Sequence, residues 1–153
     1  MVSDANIGEY LRAGGVYRDI EGDSPFEVFK SLSEKVNLPS EILPVNFYEG
    51  LCARETVLST AVGNGIAIPH SQQPLLKNPK DQRIFICYLK NPIDMHAMDN
   101  KKVQTLIIPL SSSVQSHLQI ISLLAQLLSK SDFKKALELK LGLNEIYPLI
   151  RRI

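Results

Sequence analysis

The chain of 153 residues has no tryptophan, only two cysteines, only three histidines and no surplus of either charge. Cys52 and Cys87 each sit in apolar surroundings and in no Cys-x-x-Cys or Cys/His spacing, which excludes a disulfide framework and the common zinc motifs. Both read as buried free thiols. Seventeen Lys and Arg against sixteen Asp and Glu leave a net charge of +1, so there is no basic field for nucleic acid and no polybasic patch for a lipid surface. No apolar run approaches the roughly 20 residues a spanning helix needs, and the opening "MVSDANIGEYLRAGG" lacks the basic and apolar regions of a secretory signal. A cytoplasmic, reducing location is expected, with any membrane association indirect. No repeat, low-complexity tract or Gly/Ser linker divides the chain, and a composition 44% hydrophobic and 22% charged suits one globular domain over residues 1–153.

Helix and strand signals are well distributed after residue 23. In "SPFE", Ser24 can cap a helix, Pro25 suits its first position and Glu27 stands where a capping box wants it, with Phe29, Leu32 and Val36 on one face. A second helix is expected from about Pro44 through Arg54, burying Phe47 and Leu51 and delivering Arg54 and Glu55 at its end. "GIAIP" reads as a short strand and "RIFICYL" as a longer one. Asp99 and Asn100 mark the turn of a hairpin leading into "VQTLIIPL", whose unbroken apolar run implies cover on both faces. In "VQSHLQIISLLAQLLSK", Gln119, Ser122, Gln126 and Ser129 trace a narrow polar stripe, which predicts a mostly buried helix. A further helix, "FKKALELKL", is capped by Ser131 or Asp132 and closed by Gly142, and a final turn or two follows around Asn144 to Ile150. The order predicts an α/β fold: a central mixed sheet flanked by helices on both faces.

The densest chemistry lies in "STAVGNGIAIPH", Ser59 to His70. Gly63 and Gly65 permit positive φ and leave amide donors unobstructed, which suits an anion as well as it suits a plain turn. Pro69 fixes its own φ and biases Ile68 toward an extended conformation, so His70 should leave the strand end in a defined direction. A neutral imidazole is nucleophilic at one nitrogen and can fix its tautomer through the other. Arg54 ends a helix just before this stretch and could reach an anion bidentately, or pair with a neighbouring acid. His117 enters the later helix in its first turn, where the helix dipole favours negative charge and an imidazole N–H could serve as a donor. The hydroxyls of Ser59 and Thr60 could donate to a phosphate or simply cap the loop. His96, between Met95 and Met98, reads as a surface or packing residue.

Together, "ARETVLSTAVGNGIAIPH", the strand "RIFICYL", the "IDMHAMDNKKV" hairpin and "SHLQIISLLAQLLSKSDFKKAL" resemble the enzyme IIA proteins of the bacterial phosphoenolpyruvate-dependent phosphotransferase system, of the fructose, mannitol and nitrogen-regulatory type. The likeness spans nearly the whole chain and is loosest before Ser24 and over the last dozen residues. It implies that His70 accepts a phosphoryl group from phosphorylated HPr or a nitrogen-branch counterpart. It likewise implies that His117 is the second active-site histidine and that Arg54 steadies the phosphoryl charge. Glu55 matches the signature's acidic position and joins Ser59, Thr60, Gly63 and Gly65 as the implied supporting phosphate-binding residues, with no more than holding Arg54 as its alternative role. The implied downstream partner is a IIB domain of a sugar transporter, or else a regulatory target. No metal or cofactor is implied, because a transfer between two ring nitrogens needs no activated water. Leu58 departs from the glycine that many relatives carry before the Ser-Thr pair.

Overall fold

The computed structural model describes residues 3–151. Its frame is one five-stranded mixed sheet in the order β1-β4-β5-β3-β2, comprising β1 (Gly15–Ile20), β2 (Ala61–Gly63), β3 (Ile66–Ala67), β4 (Arg83–Ile93) and β5 (Val103–Leu110). β1 runs parallel to β4, β4 antiparallel to β5, β5 parallel to β3, and β3 antiparallel to β2. β4 and β5 form the expected hairpin, with Ile93 opposite Val103 and Asn100 at φ 59° in the turn.

Strand alternation divides the core into two layers. Phe85, Cys87 and Leu89 of β4 face one way, where they pack with Leu106 and Ile108 of β5 against α2 (Pro25–Ser33) and α3 (Pro44–Val57) through Phe29, Leu32, Phe47 and Leu51. Ile84, Ile86 and Tyr88 face the other way, toward α1 (Asp4–Gly14), α4 (Val114–Leu128), α5 (Ser131–Glu138) and α6 (Leu143–Arg151). Helices therefore cover both faces, which is why the central strands read as continuous apolar runs.

Several local details depart from the sequence expectations. No element is expected before Ser24, yet α1 and β1 occupy that region. β1 is an edge strand with Arg18 and Asp19 exposed, and α1 buries Ile7 and Leu11 but carries an otherwise polar sequence. α3 continues three residues past Arg54. α4 is less buried than its polar stripe suggests: Ile120, Leu124 and Leu127 are in the core, but Leu118 is 62% exposed and Val114 and Ala125 are also open. The sheet edge on that side consists of strands of three and two residues, too short to cover a fifteen-residue helix. Cys87 is fully buried as expected, whereas Cys52 is only half-buried.

The end of α5 offers a test. Gly142 does not close this helix; Lys140 takes the left-handed conformation at φ 55°. Leu141 N–H donates to Ala136 C=O at 3.1 Å and Lys140 N–H to Leu137 C=O at 3.0 Å, the paired bonds of a Schellman ending. A lysine there carries a Cβ penalty of about 1 kcal/mol that glycine avoids. Lys140→Gly is expected to raise stability by about 1 kcal/mol, read as a higher midpoint in thermal or urea unfolding.

Candidate active site

Three segments meet at one end of the sheet: the end of α3, the loop and hairpin through β2 and β3, and the start of α4. His70 lies just beyond β3 and His117 in the first turn of α4, where Ser113 Oγ accepts from Ser116 N–H at 3.0 Å and Ser113 C=O accepts from His117 N–H. Their rings are 4.6 Å apart between centroids and tilted by 43°. Neither ring is fully buried. Gln82, which the sequence reading passed over, fixes the approach to α4 from inside the protein. It is 3% exposed, donates to Tyr10 Oη at 2.9 Å, and accepts from both Ser112 N–H and Ser112 Oγ–H. A lone glutamine before a strand carries no sequence signal for such a role.

His70 Nδ1 is 2.8 Å from the Ile68 carbonyl. A carbonyl only accepts, so Nδ1 carries the proton and Nε2 is left with its lone pair. Burial lowers the His70 pKa below its ordinary value; the bond to Ile68 and the Glu55 charge oppose that shift, and Arg54 adds to it. Burial, then His70, then Arg54 push His117 down to about 4. Both imidazoles are thus neutral at pH 7, and the cationic guanidinium acts on both rings.

The low value for His117 has a consequence for stability. Below the unfolded pKa of about 6.5 the unfolded chain takes up a proton that the folded state refuses until about pH 4. Stability should therefore fall as pH drops from about 6.5 to 4, by about 1–2 kcal/mol from this ring after allowance for its partial solvation. Urea titrations across that window should show the loss, and His117→Gln should remove that share of it.

Arg54 Nη1 donates to the Leu58 carbonyl at 2.6 Å. Leu58 itself has φ −163°, extended backbone open to any residue, so the departure from glycine there imposes no strain; its side chain is 67% exposed at the rim. Glu55 does not hold Arg54 by its hydrogen bonds. Adjacent residues on a helix diverge, and the carboxylate instead accepts from Thr60 N–H at 2.9 Å and Thr60 Oγ1–H at 2.6 Å. Ser59 Oγ donates to the Met95 carbonyl and accepts from Ala61 N–H. Gly63, Asn64 and Gly65, at φ 94°, 57° and 77°, form the β2–β3 turn, and Asn64 N–H donates to Asp99 Oδ2 at 2.9 Å. The turn thus meets a carboxylate of the protein itself. His96 is exposed in the β4–β5 loop, apart from the other two histidines, and its N–H donates to Asp94.

Around the histidines the surface is apolar. Val57, Leu58, Val62, Val114 and Leu118 are all more than half exposed. An open groove lined by Val62, Ile66, Ile68, Ile121 and Leu128, with Asn64, Ser129 and Lys134 also on its walls, runs between the β2–β3 hairpin and α4. Ile68 is two residues before His70, and Ile121 lies one turn beyond His117. Among the described residues no cluster of three or more His, Cys, Asp or Glu side chains is placed to hold a metal ion, and no helix is long and apolar enough to cross a membrane.

This arrangement has clear relatives. A nitrogen regulatory protein from Pseudomonas aeruginosa is 27% identical over 150 residues, covering 94% of each chain. The crystal structure of nitrogen regulatory protein IIA-Ntr from Neisseria meningitidis superposes with a TM-score of 0.76 at 26% identity, covering 94% of this chain and 98% of that one. A complex of enzyme IIAMTL with phosphorylated enzyme IIBMTL from Escherichia coli shares the fold at a TM-score of 0.66 and 14% identity, over 90% of this chain and 94% of that one. The family model for the phosphoenolpyruvate-dependent sugar phosphotransferase system, EIIA 2, matches residues 9–153. On that match, and on a mixed five-stranded sheet that presents paired histidines at its end, the chain belongs to the EIIA 2 family of the phosphotransferase system.

Proposed function

We propose that the chain is a phosphohistidine carrier, taking a phosphoryl group from phosphorylated HPr or a nitrogen-branch counterpart onto His70 Nε2 and passing it to a IIB domain of a sugar transporter. The observation that carries this reading is the tautomer. With Nδ1–H given to Ile68, the Nε2 lone pair is the ring's one free nucleophile, beside a second neutral histidine and within the field of Arg54. In the transfer, the donor's N–P bond breaks and its electron pair returns to the donor ring nitrogen, while the Nε2 lone pair forms the new N–P bond. The Nδ1 proton stays, and the positive charge developing on the ring is shared with the Ile68 carbonyl.

Charge on the equatorial phosphoryl oxygens is met by Arg54 and by an N–H of His117, whose neutral ring can donate without itself being charged. Positioning and electrostatics suffice, since both ends of the transfer are N–P bonds. The apolar rim suits partner proteins that must bring a phosphoryl donor or acceptor to His70 and then leave. The phosphorylated IIB seated with the mannitol relative supports a partner of that kind here.

A second output for the same chemistry is regulatory, with phosphorylation of His70 changing the grip on a target protein; the similarity to nitrogen regulatory proteins of Pseudomonas aeruginosa and Escherichia coli supports it. Incubation with phosphoenolpyruvate, enzyme I and HPr, or with the nitrogen-branch counterparts of those two proteins, should load one acid-labile, alkali-stable phosphoryl group. Onward transfer of that group to a IIB domain supports the sugar branch. Loading without any onward transfer, joined to a phosphorylation-dependent pull-down partner, supports the regulatory one. No loading from either carrier would sink the proposal.

A further inference from the structure

An imidazole offers two nitrogens, so a carrier that uses one of them needs something to keep the proton on the other. The Ile68 carbonyl does so only while its own orientation is held. Ile68 precedes Pro69 and follows a strand of two residues, which is slender support. Its backbone is instead tied across the loop, with Ile68 N–H donating to the Thr60 carbonyl at 3.0 Å. Thr60, 6% exposed, is held in turn at two points by one carboxylate, through its N–H and its hydroxyl. That carboxylate belongs to Glu55 in the last turn of α3.

An acidic side chain beside a phosphoryl acceptor is electrostatically unfavourable for the incoming dianion, so its presence asks for a compensating role. Two charge-assisted hydrogen bonds to one residue, continued through one backbone bond and the ring's own bond to the Ile68 carbonyl, supply one. We propose that Glu55 is a positioning residue which, through Thr60 and Ile68, keeps the His70 proton on Nδ1 and so confines phosphorylation to Nε2. This rests on the reading of His70 as the acceptor. It differs from a phosphate-binding or arginine-holding role for Glu55, because the carboxylate's bonds run to the loop and not to Arg54. Once the ring is phosphorylated and positively charged, the charge of the same carboxylate offsets it.

The test compares wild type, Glu55→Ala, Glu55→Gln and Thr60→Val by two measurements. Long-range proton–nitrogen spectra of the unphosphorylated proteins report the His70 tautomer. Alkaline hydrolysis of the phosphorylated proteins, followed by chromatography, separates the Nε2 from the Nδ1 phosphohistidine isomer. Wild type should show one tautomer and the Nε2 isomer. Losing charge-assisted bonds worth about 1.5–3 kcal/mol should shift the ratio tenfold or more in Glu55→Ala, giving a mixed tautomer and a clear Nδ1 isomer. Glu55→Gln, which can accept from Thr60 N–H while its amide donates to Thr60 Oγ1, should restore the wild-type isomer. A general packing role would move stability but neither readout.

A folded Glu55→Ala that keeps the single tautomer and the single isomer overturns the proposal. If Glu55→Ala does not fold, Thr60→Val keeps the side-chain volume and loses the hydroxyl bond. Appearance of the Nδ1 isomer in that variant supports the proposal, and the wild-type pattern overturns it. Failure of the wild type to load phosphoryl would remove the carrier reading, while the tautomer spectra would still decide on Glu55.

Discussion

Replacing His70 with glutamine is expected to abolish phosphoryl loading while the protein stays folded. Glutamine has no ring nitrogen to attack phosphorus, and the loss of one partly buried hydrogen bond to Ile68 costs only about 1 kcal/mol. His117 should not take over. Burial and Arg54, both of which persist without His70, hold its pKa below the ordinary value, and a nitrogen that binds protons poorly is also a poor nucleophile toward phosphorus. Loading measured with labelled phosphoenolpyruvate, enzyme I and HPr should fall to background in His70→Gln. Thermal unfolding of the same sample should show a midpoint close to wild type. Loading that survives in a folded His70→Gln would place the acceptor elsewhere.

The second large effect is expected at Arg54. Removing one preorganised charge from a site that stabilises developing phosphoryl charge typically costs about 10²–10³ in rate, so Arg54→Ala should load about 10²-fold more slowly than wild type. Arg54→Lys should recover only part of that, because an ammonium point charge lacks the planar fork that can meet two phosphoryl oxygens together. A second readout has a fixed sign. The guanidinium lowers the pKa of both histidines, so its removal should raise both in an NMR titration, most visibly for His117 from its value of about 4. A slow Arg54→Ala whose histidine titrations stay where they were would mean that the guanidinium acts through the loop, by its bond to the Leu58 carbonyl, and not through its charge.

Much of this site is legible in the sequence because its grammar is local. A glycine-bounded strand that ends in Pro-His fixes where the ring emerges, and Ser113 before an apolar helix fixes where His117 sits. The alternating faces of β4 and β5 follow from two apolar runs covered on both sides. The rest depends on contacts between segments far apart in the chain, which spacing cannot reveal. Gln82 acquires its role only when Tyr10 and Ser112 are brought beside it, residues 72 and 30 positions away. Glu55 looks like a partner for the arginine next to it, yet helix geometry sends the two side chains apart and the loop after α3 brings Thr60 back to the carboxylate. The exposure of Leu118 follows from how short β2 and β3 are, not from the composition of α4. Asn64 N–H meets Asp99 because the β4–β5 loop lies against the hairpin turn, and no local pattern announces that meeting.

The most direct test of the account is to locate the phosphoryl group on the intact chain. The protein should be loaded from phosphoenolpyruvate at neutral to alkaline pH and fragmented in the mass spectrometer by a method that spares N–P bonds. One phosphoryl mass is expected, carried by fragments that include His70, with His96 and His117 unmodified. A phosphoryl group found on His117 or His96 while His70 remains free would contradict it.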